Sequence, residues 1–450
     1  MSRIFGTDGV RGVAGTELDI NLAMKLGQAG AYVLSKGNNK RPTILVGCDT
    51  RISGDMLANA LMAGICSVGA DAVYAGVVPT PAIAYLTKAE GFDAGVVISA
   101  SHNPMEFNGI KFFSSDGYKL PDEIEDEIQK EIESDMASID FPTGAGVGRV
   151  KYDFEIARDY IDFEKKAVPV DLSGLKVVVD CANGASYKTN TTVLKELGAD
   201  LIPLHVEPNG TNINDKCGST HLEDLMETVK REKADIGIAF DGDADRMLAV
   251  DENGVAVDGD EIMSICANYM KEKGTLKKNT LVVTVMSNLG LSIMGKENDI
   301  NIEVTKVGDR YVLEKMKEEG YNIGGEQSGH IIFLDKNTTG DGMMSALHLL
   351  QVMVDTKKSL SELKSVMSVY PQALVNAKVP NDKKNSYREF PEIVERIDNL
   401  EKKFDGAGRV LIRPSGTEPL VRVMIEGKVQ EEIEKDAKDL AVFIEETMNA

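Results

Sequence analysis

The stretch Asp235-Ile-Gly-Ile-Ala-Phe-Asp-Gly-Asp-Ala-Asp-Arg246 decides the fold. Its first half is apolar and its second half acidic, so it reads as a buried strand running directly into a charged loop. Upstream lie two more strand-like segments, Leu175-Lys-Val-Val-Val-Asp180 and Leu201-Ile-Pro-Leu-His-Val206. The same order of three strands occurs earlier as Thr43-Ile-Leu-Val-Gly-Cys-Asp49, Ala72-Val-Tyr-Ala-Gly-Val-Val78 and Ala94-Gly-Val-Val-Ile98, with a helical stretch at 55–68. It returns as Thr280-Leu-Val-Val-Thr-Val285, Ile300-Asn-Ile-Glu-Val304 and Tyr321-Asn-Ile-Gly324. Strands alternating with helices imply parallel or mixed sheets, and three copies imply three similar domains from one ancestral unit.

After residue 370 the pattern changes. A strand near 373–379, a helical stretch at 387–404 and two strands at 409–413 and 420–425 precede a closing amphipathic helix. The expected fold is therefore α/β, with three similar mixed-sheet domains in tandem and a smaller C-terminal α+β domain around a central cleft. The expected boundaries are 1–152, 153–254, 255–369 and 370–450. Residues 169–174 and 371–372 read as connectors. The acidic run 121–135 carries Ile124, Ile128 and Ile132 at helical spacing and reads as a solvated amphipathic helix.

Composition narrows the function. The 450 residues exceed one compact core, and 42% hydrophobic with 27% charged residues is ordinary for a globular protein. A net charge of −22 argues against nucleic acid as a partner. No apolar run approaches the roughly 20 residues that cross a bilayer, and no leader pattern opens the chain, so no membrane partner and a cytoplasmic location are expected. Five dispersed cysteines without a C-x-x-C pair read as free thiols packed in cores, with Cys217 in a polar loop the least typical. Small anions need only a local basic cluster, for which Arg11, Lys111, Arg310, Arg413 and Arg422 are candidates.

The chemistry concentrates directly after the third strand of each copy, in Ser99-Ala-Ser-His-Asn-Pro104, Asp241-Gly-Asp-Ala-Asp-Arg246 and Gly325-Glu-Gln-Ser-Gly-His330. Ligands of open α/β sheets sit at the carboxyl ends of strands, so the three loops are expected to share one cleft. Asp241, Asp243 and Asp245 alternate, which in an extended segment puts their side chains on one side about 7 Å apart. Gly242 lets them converge, and three converging carboxylates call for a hard cation. A calcium EF-hand fails because Arg246 stands where that loop needs glycine and both flanks read as strands. Mg²⁺, which takes few protein ligands, fits better.

Ser101 stands where a plain turn is the ordinary explanation, since Asn103-Pro104 alone marks one. The density of Ser99, Ser101, His102 and Asn103, followed by Asn108-Gly-Ile-Lys111, points beyond a turn. No Gly-x-Ser-x-Gly elbow is present, which argues against a hydrolase triad; a serine esterified to phosphate would instead be a natural ligand for the metal. Arg413-Pro-Ser-Gly-Thr417 joins a cation, two hydroxyls and a glycine, a combination suited to gripping phosphate. Glu326, Ser328 and His330 suit sugar hydroxyls. The opening Phe5-Gly-Thr-Asp-Gly-Val-Arg-Gly12 leaves Arg11 to reach the cleft and is no Walker loop.

In order and together, these four motifs resemble the α-D-phosphohexomutase superfamily over essentially the whole chain. The opening octapeptide, Cys217-Gly-Ser-Thr-His221, Val307-Gly-Asp-Arg310 and Gln327 are most similar to its glucosamine-phosphate branch. The resemblance implies phosphoserine at Ser101, and Mg²⁺ on Asp241, Asp243 and Asp245 with an oxygen of that phosphate. It implies Lys111 and His330 as acid/base groups and Arg11 in the catalytic set. It further implies substrate contacts from Arg246, Gly308, Asp309, Glu326, Ser328, Arg413, Ser415, Gly416, Thr417 and Arg422. Phe107 departs from the family pattern, where Asp commonly stands, without removing a chemical group.

The activity so implied is interconversion of glucosamine 6-phosphate and glucosamine 1-phosphate through a 1,6-bisphosphate, feeding UDP-N-acetylglucosamine synthesis. The substrate would be a small phosphosugar, and the resemblance suggests a homodimer. A phosphoglucomutase or phosphomannomutase, a non-catalytic phosphosugar sensor and a leaky phosphatase remain alternatives. A sensor would be expected to have lost Ser101 or one of the aspartates, and all are present.

Overall fold

A computed structural model describes residues 3–6, 8–36, 40–415 and 418–449. Among them, sheets of six, five, four and three strands follow one another along the chain. Packing divides the chain into two units, Met1–Met286 with Asp299–Val366, and Ser287–Asn298 with Met367–Ala450.

The first unit contains the threefold repeat. In the first copy Thr43–Cys48 pairs in parallel with Asp71–Val77 on one side and Ala94–Ile98 on the other. In the second copy Lys176–Asp180 pairs likewise with Asp200–Leu204 and Ile236–Phe240. In the third copy Thr280–Thr284 pairs likewise with Asn301–Thr305 and Ile323–Gly325. Ala94–Ile98, Ile236–Phe240 and Thr280–Thr284 are buried at every position, which explains their continuous apolar runs: a central strand covered on both faces has no polar side to alternate with.

Each third strand then turns back as an antiparallel return strand: Phe107–Ser114, Met247–Asp251 and Ile331–Phe333. The repeat is thus one strand longer than the sequence pattern indicates. Each chemical loop is the tip of a hairpin held by two paired strands, which anchors it at both ends.

The second unit is an antiparallel sheet with Leu420–Gly427 between Gln372–Lys378 and Gly408–Pro414. Its core combines Val421, Val423 and Ile425 with Ile433, Leu440 and Ile444 of the closing helix Gln430–Asn449. The helix Leu289–Glu297, which by sequence belongs to the third copy, groups with this unit. Asn288 Nδ2 donates to the Tyr370 carbonyl at 2.9 Å, and Leu289 N donates to the buried Glu426 carboxylate at 3.2 Å.

Candidate active site

Ser101 and the aspartate loop meet at the centre of the first unit. Ser101 Oγ donates to Asp241 Oδ2 at 2.5 Å. One oxygen from each of Asp241, Asp243 and Asp245 lies within 4.8 Å of the others, and all three residues are buried. Burial and repulsion from Asp245 and Asp243 push Asp241 well above the ordinary carboxylate range. Asp243 Oδ1 and Asp245 Oδ1 are buried and, among the described residues, have no hydrogen-bond donor. Converging, donor-free carboxylate oxygens are the surroundings a hard divalent cation requires, so the donor set fits a metal ion.

The glycine of Asp-Gly-Asp has a steric reason. A Cβ on Gly242 would fall 2.5 Å from the Ser101 carbonyl oxygen, so any side chain there would push the serine loop away from the metal loop. Ser101 itself adopts φ 54°, the left-handed region that a residue with a side chain rarely occupies. That conformation is held from beneath. The fully buried Arg51 donates from Nε to Asp49 Oδ2 at 2.9 Å, and from its two terminal nitrogens to the carbonyls of Pro104, Ser101 and Asn103 at 2.5, 2.9 and 2.8 Å. Ser99 Oγ donates to Asp49 Oδ2 at 2.6 Å and accepts from Ser101 N at 2.9 Å. From the second copy, Asn214 Nδ2 donates to the carbonyls of Ser101 and Asn103 at 2.9 and 3.1 Å.

Charges of alternating sign run outward from the triad. Asp243 pairs with Lys111 at 2.9 Å and Lys111 with Asp8 at 3.0 Å. Asp8 pairs with Lys119 at 2.7 Å and Lys119 with Asp309 at 2.6 Å. His330 closes the chain, 3.5 Å from both Asp309 and Asp245. Arg11 adds a contact to Asp8 at 2.5 Å. Burial favours the neutral form of Lys111, but Asp243 and Asp8 outweigh it and hold the ammonium protonated above the ordinary lysine range. Lys111 thus lies between two carboxylates that favour its charged form. Burial likewise works against a charged His330, and Asp245 and Asp309 outweigh it, raising the imidazole above its usual value. The Gly340 N–H, 3.2 Å from His330 Nε2, fixes the ring position. A Cβ at Gly340 would fall 2.4 Å from that ring, which accounts for the glycine there.

A cavity of about 400 Å³ opens on this chain of charges, lined by Arg11, Ser101, Asp245, Arg246, Gly308, Asp309, Glu326 and His330. All three loops thus contribute to one cavity. Gly308 N donates to Glu326 Oε1 at 3.0 Å. Asp8, Lys119 and Asp309 also line a second cavity of about 330 Å³, so they form the wall between the two. His102, half-buried, has its Nδ1 3.4 Å from Ser101 Oγ, and burial with Arg246 and Arg11 pulls its pKa down to about 4.

Not every expected residue joins. Ser328 is exposed and does not line the cavity. Gln327 is also outside the lining; its Nε2 donates to Asp258 Oδ2 at 3.0 Å, and Asp258 caps the helix Gly259–Glu272. In the second unit, Arg413 and Arg422 stand directly opposite each other on paired strands, and both are exposed. Like charges so placed repel, an arrangement suited to an anion. Ser415 is buried and its Oγ accepts from Glu418 N at 3.2 Å. Gly416 and Thr417 lie outside the described residues. Arg310 pairs with Asp122 and Glu314, away from the triad.

Asp49, Arg51, Thr80, Lys119 and Asn214 were not singled out by sequence, although Thr80 Oγ1 donates to Asp243 Oδ2 at 2.7 Å. Asp8 stands in the opening stretch Phe5–Gly12, three residues before Arg11, and that pairing of opposite charges is its sequence signal. Arg51 and Asn214 act mainly on backbone carbonyls, which no spacing of side chains announces.

Comparison with known proteins agrees along the whole length. Residues 2–138, 158–254, 258–370 and 374–442 match, respectively, phosphoglucomutase/phosphomannomutase α/β/α domains I, II and III and the C-terminal domain. A phosphoglucosamine mutase from Clostridium novyi strain NT is 59% identical over 450 residues, covering 100% of both chains. One from Clostridium perfringens strain SM101 is 61% identical over 449 residues, again covering 100% of both. The crystal structure of a phosphoglucomutase/phosphomannomutase family protein from Burkholderia thailandensis superposes with a TM-score of 0.80 at 26% identity, covering 99% of this chain and 98% of that one.

Proposed function

The chain belongs to the phosphoglucomutase/phosphomannomutase family, and we propose that it interconverts glucosamine 6-phosphate and glucosamine 1-phosphate by way of a phosphoryl group on Ser101. The choice of an amino sugar follows the relatives about 60% identical over their full length. The observation that carries the mechanism is Ser101 Oγ, 2.5 Å from Asp241 of a buried aspartate triad in which, among the described residues, Asp243 Oδ1 and Asp245 Oδ1 have no donor.

Asp241, Asp243 and Asp245, with an oxygen of the phosphoserine, are the proposed ligands of Mg²⁺. Bound there, the ion neutralises charge that develops on the transferring phosphoryl oxygens. Lys111, kept protonated by Asp243 and Asp8, adds a positive charge beside the same group and holds a proton for the Ser101 oxygen as it leaves. The free hydroxyl of the sugar attacks phosphorus and passes its proton to His330, while the bond from phosphorus to Ser101 Oγ breaks and that oxygen takes a proton from Lys111. The product is a 1,6-bisphosphate. After it turns over, Ser101 Oγ returns its proton to Lys111 and attacks the other phosphate, and His330 returns its proton to the departing sugar oxygen. Arg11, Arg246, Gly308, Asp309 and Glu326 line the cavity and are the proposed sugar contacts. Arg413, Ser415, Gly416, Thr417 and Arg422 are the proposed grip on the phosphate not being transferred. A grip that accepts either end is needed because the 1- and 6-positions cannot both face one serine.

The test is to load Ser101 with phosphate and follow isomerisation of glucosamine, glucose and mannose phosphates, with Ser101→Ala in parallel. Glucosamine phosphates are expected to turn over fastest and Ser101→Ala to be inactive. Full activity of Ser101→Ala would sink the mechanism, and preference for glucose or mannose would reassign the substrate.

A further inference from the structure

We propose that Asp180, His205 and Cys217 form a second metal site, for a borderline-soft divalent ion of the zinc class. Asp180 ends the first strand of the second copy, His205 directly follows the second strand, and Cys217 precedes the short turn Gly218–Thr220. One carboxylate oxygen, one ring nitrogen and the sulfur lie within 4.8 Å of one another. Asp180 and Cys217 are fully buried.

The approach of His205 to Asp180 is not that of an ordinary hydrogen bond. Nδ1 is 3.0 Å from Asp180 Oδ2, yet among the described residues this buried nitrogen has no partner in hydrogen-bond geometry. The ring N–H direction misses the carboxylate, as it does when both atoms aim at a shared cation. On the ring's other side, Nε2 is 3.3 Å from Asp224 Oδ2. A carboxylate on the second nitrogen is the usual way a ligating histidine is oriented and its lone pair turned toward a metal. Asp180 is itself fixed: Oδ1 accepts from Ala182 N at 2.8 Å and Oδ2 from Gly218 N at 2.9 Å.

Donor chemistry separates this site from the aspartate triad. Imidazole, thiolate and one carboxylate select zinc-like ions, whereas an all-carboxylate set selects hard ones. Without a metal, burial and Asp180 push the Cys217 thiol up to about 12, so loading would release its proton. The consequence reaches the reaction centre. The segment between His205 and Cys217 carries Asn214, whose amide holds the carbonyls of Ser101 and Asn103; an ion tying both ends of that segment to Asp180 would stiffen the support under Ser101.

Titrating the Mg²⁺-equilibrated full chain with Co²⁺ tests the site through the near-ultraviolet thiolate-to-cobalt band. The band is expected to saturate at a single equivalent, to be displaced by Zn²⁺ but not by further Mg²⁺, and to vanish in Cys217→Ser and in His205→Gln. His205 is partly exposed, so the second variant serves where Cys217→Ser fails to fold. Absence of the band from the wild type, or its persistence in either folded variant, overturns the proposal.

Discussion

Replacing Arg51 by lysine keeps its buried charge beside Asp49 but removes the fork that holds the serine loop. Three carbonyl contacts, to Ser101, Asn103 and Pro104, depend on the guanidinium's terminal nitrogens. A single ammonium cannot meet Asp49 and all three carbonyls at once. At about 0.5–1.5 kcal/mol for each hydrogen bond, losing three costs about 1.5–4.5 kcal/mol. Asn214 still serves two of the three carbonyls, which places the loss near 2 kcal/mol. That equals the roughly 1–3 kcal/mol by which a residue with a side chain resists a left-handed backbone, and Ser101 sits at φ 54°. The loop in Arg51→Lys should therefore relax. At about 1.36 kcal/mol per factor of ten, turnover should fall by about 10- to 30-fold. KM should change by less than about twofold, because Arg51 lines no part of the cavity. The assay is steady-state kinetics on enzyme loaded to equal phosphoserine content, checked by intact mass. Wild-type turnover at equal loading would refute the reasoning.

Three further outcomes follow from buried or facing charges. Lys119→Met leaves Asp8 and Asp309 without the ammonium between them and should cost about 3–5 kcal/mol in chemical denaturation; adding Asp8→Asn should recover part of the loss, and no recovery would contradict the charge chain. Glu164 is buried beside Asp341, and burial with that carboxylate raises it well above its ordinary 4.5. Its folded value exceeds the unfolded one, so its contribution is complete below about pH 4.5 and is lost as pH rises through the folded value. Melting temperature should then fall more steeply as pH rises above about 4.5 in the wild type than in Glu164→Gln, and parallel profiles would count against it. Arg422→Ala should lower kcat/KM by about 10-fold or more, from about 1.5–3 kcal/mol for a hydrogen bond to a charged group, while slightly stabilising the hairpin by removing the repulsion from Arg413; unchanged kcat/KM would remove these arginines from the phosphate grip.

Much of the fold was legible because buried central strands must be continuously apolar and chemical loops abruptly polar, as in Ile236–Phe240 before Asp241. The return strands were less visible. Phe107–Ser114 is largely buried on both faces and carries Asn108 and Lys111 inside it, so neither alternation nor a clean apolar run marks it. Of the site, side chains grouped within one loop were readable, including the three aspartates. Partners separated in sequence were not: Arg51 and Asn214 reach carbonyls, and Lys119 owes its role to Asp8 and Asp309, which are remote along the chain. The role of Lys111 depended on that same environment, since two carboxylates favour its charged form. Gln327 shows the opposite case, a residue distinctive in sequence whose side chain is tied to a helix cap.

The claim that Ser101 carries the transferred group is tested most directly by a single turnover with isotopically labelled phosphate on the enzyme. Mixed with unlabelled glucosamine 6-phosphate, the labelled protein should lose label from Ser101 and yield labelled glucosamine 1,6-bisphosphate before labelled monophosphate appears, and Ser101→Ala should accept no label. Isomerisation that proceeds while the label stays on the protein, or that releases it only as inorganic phosphate, would contradict the account.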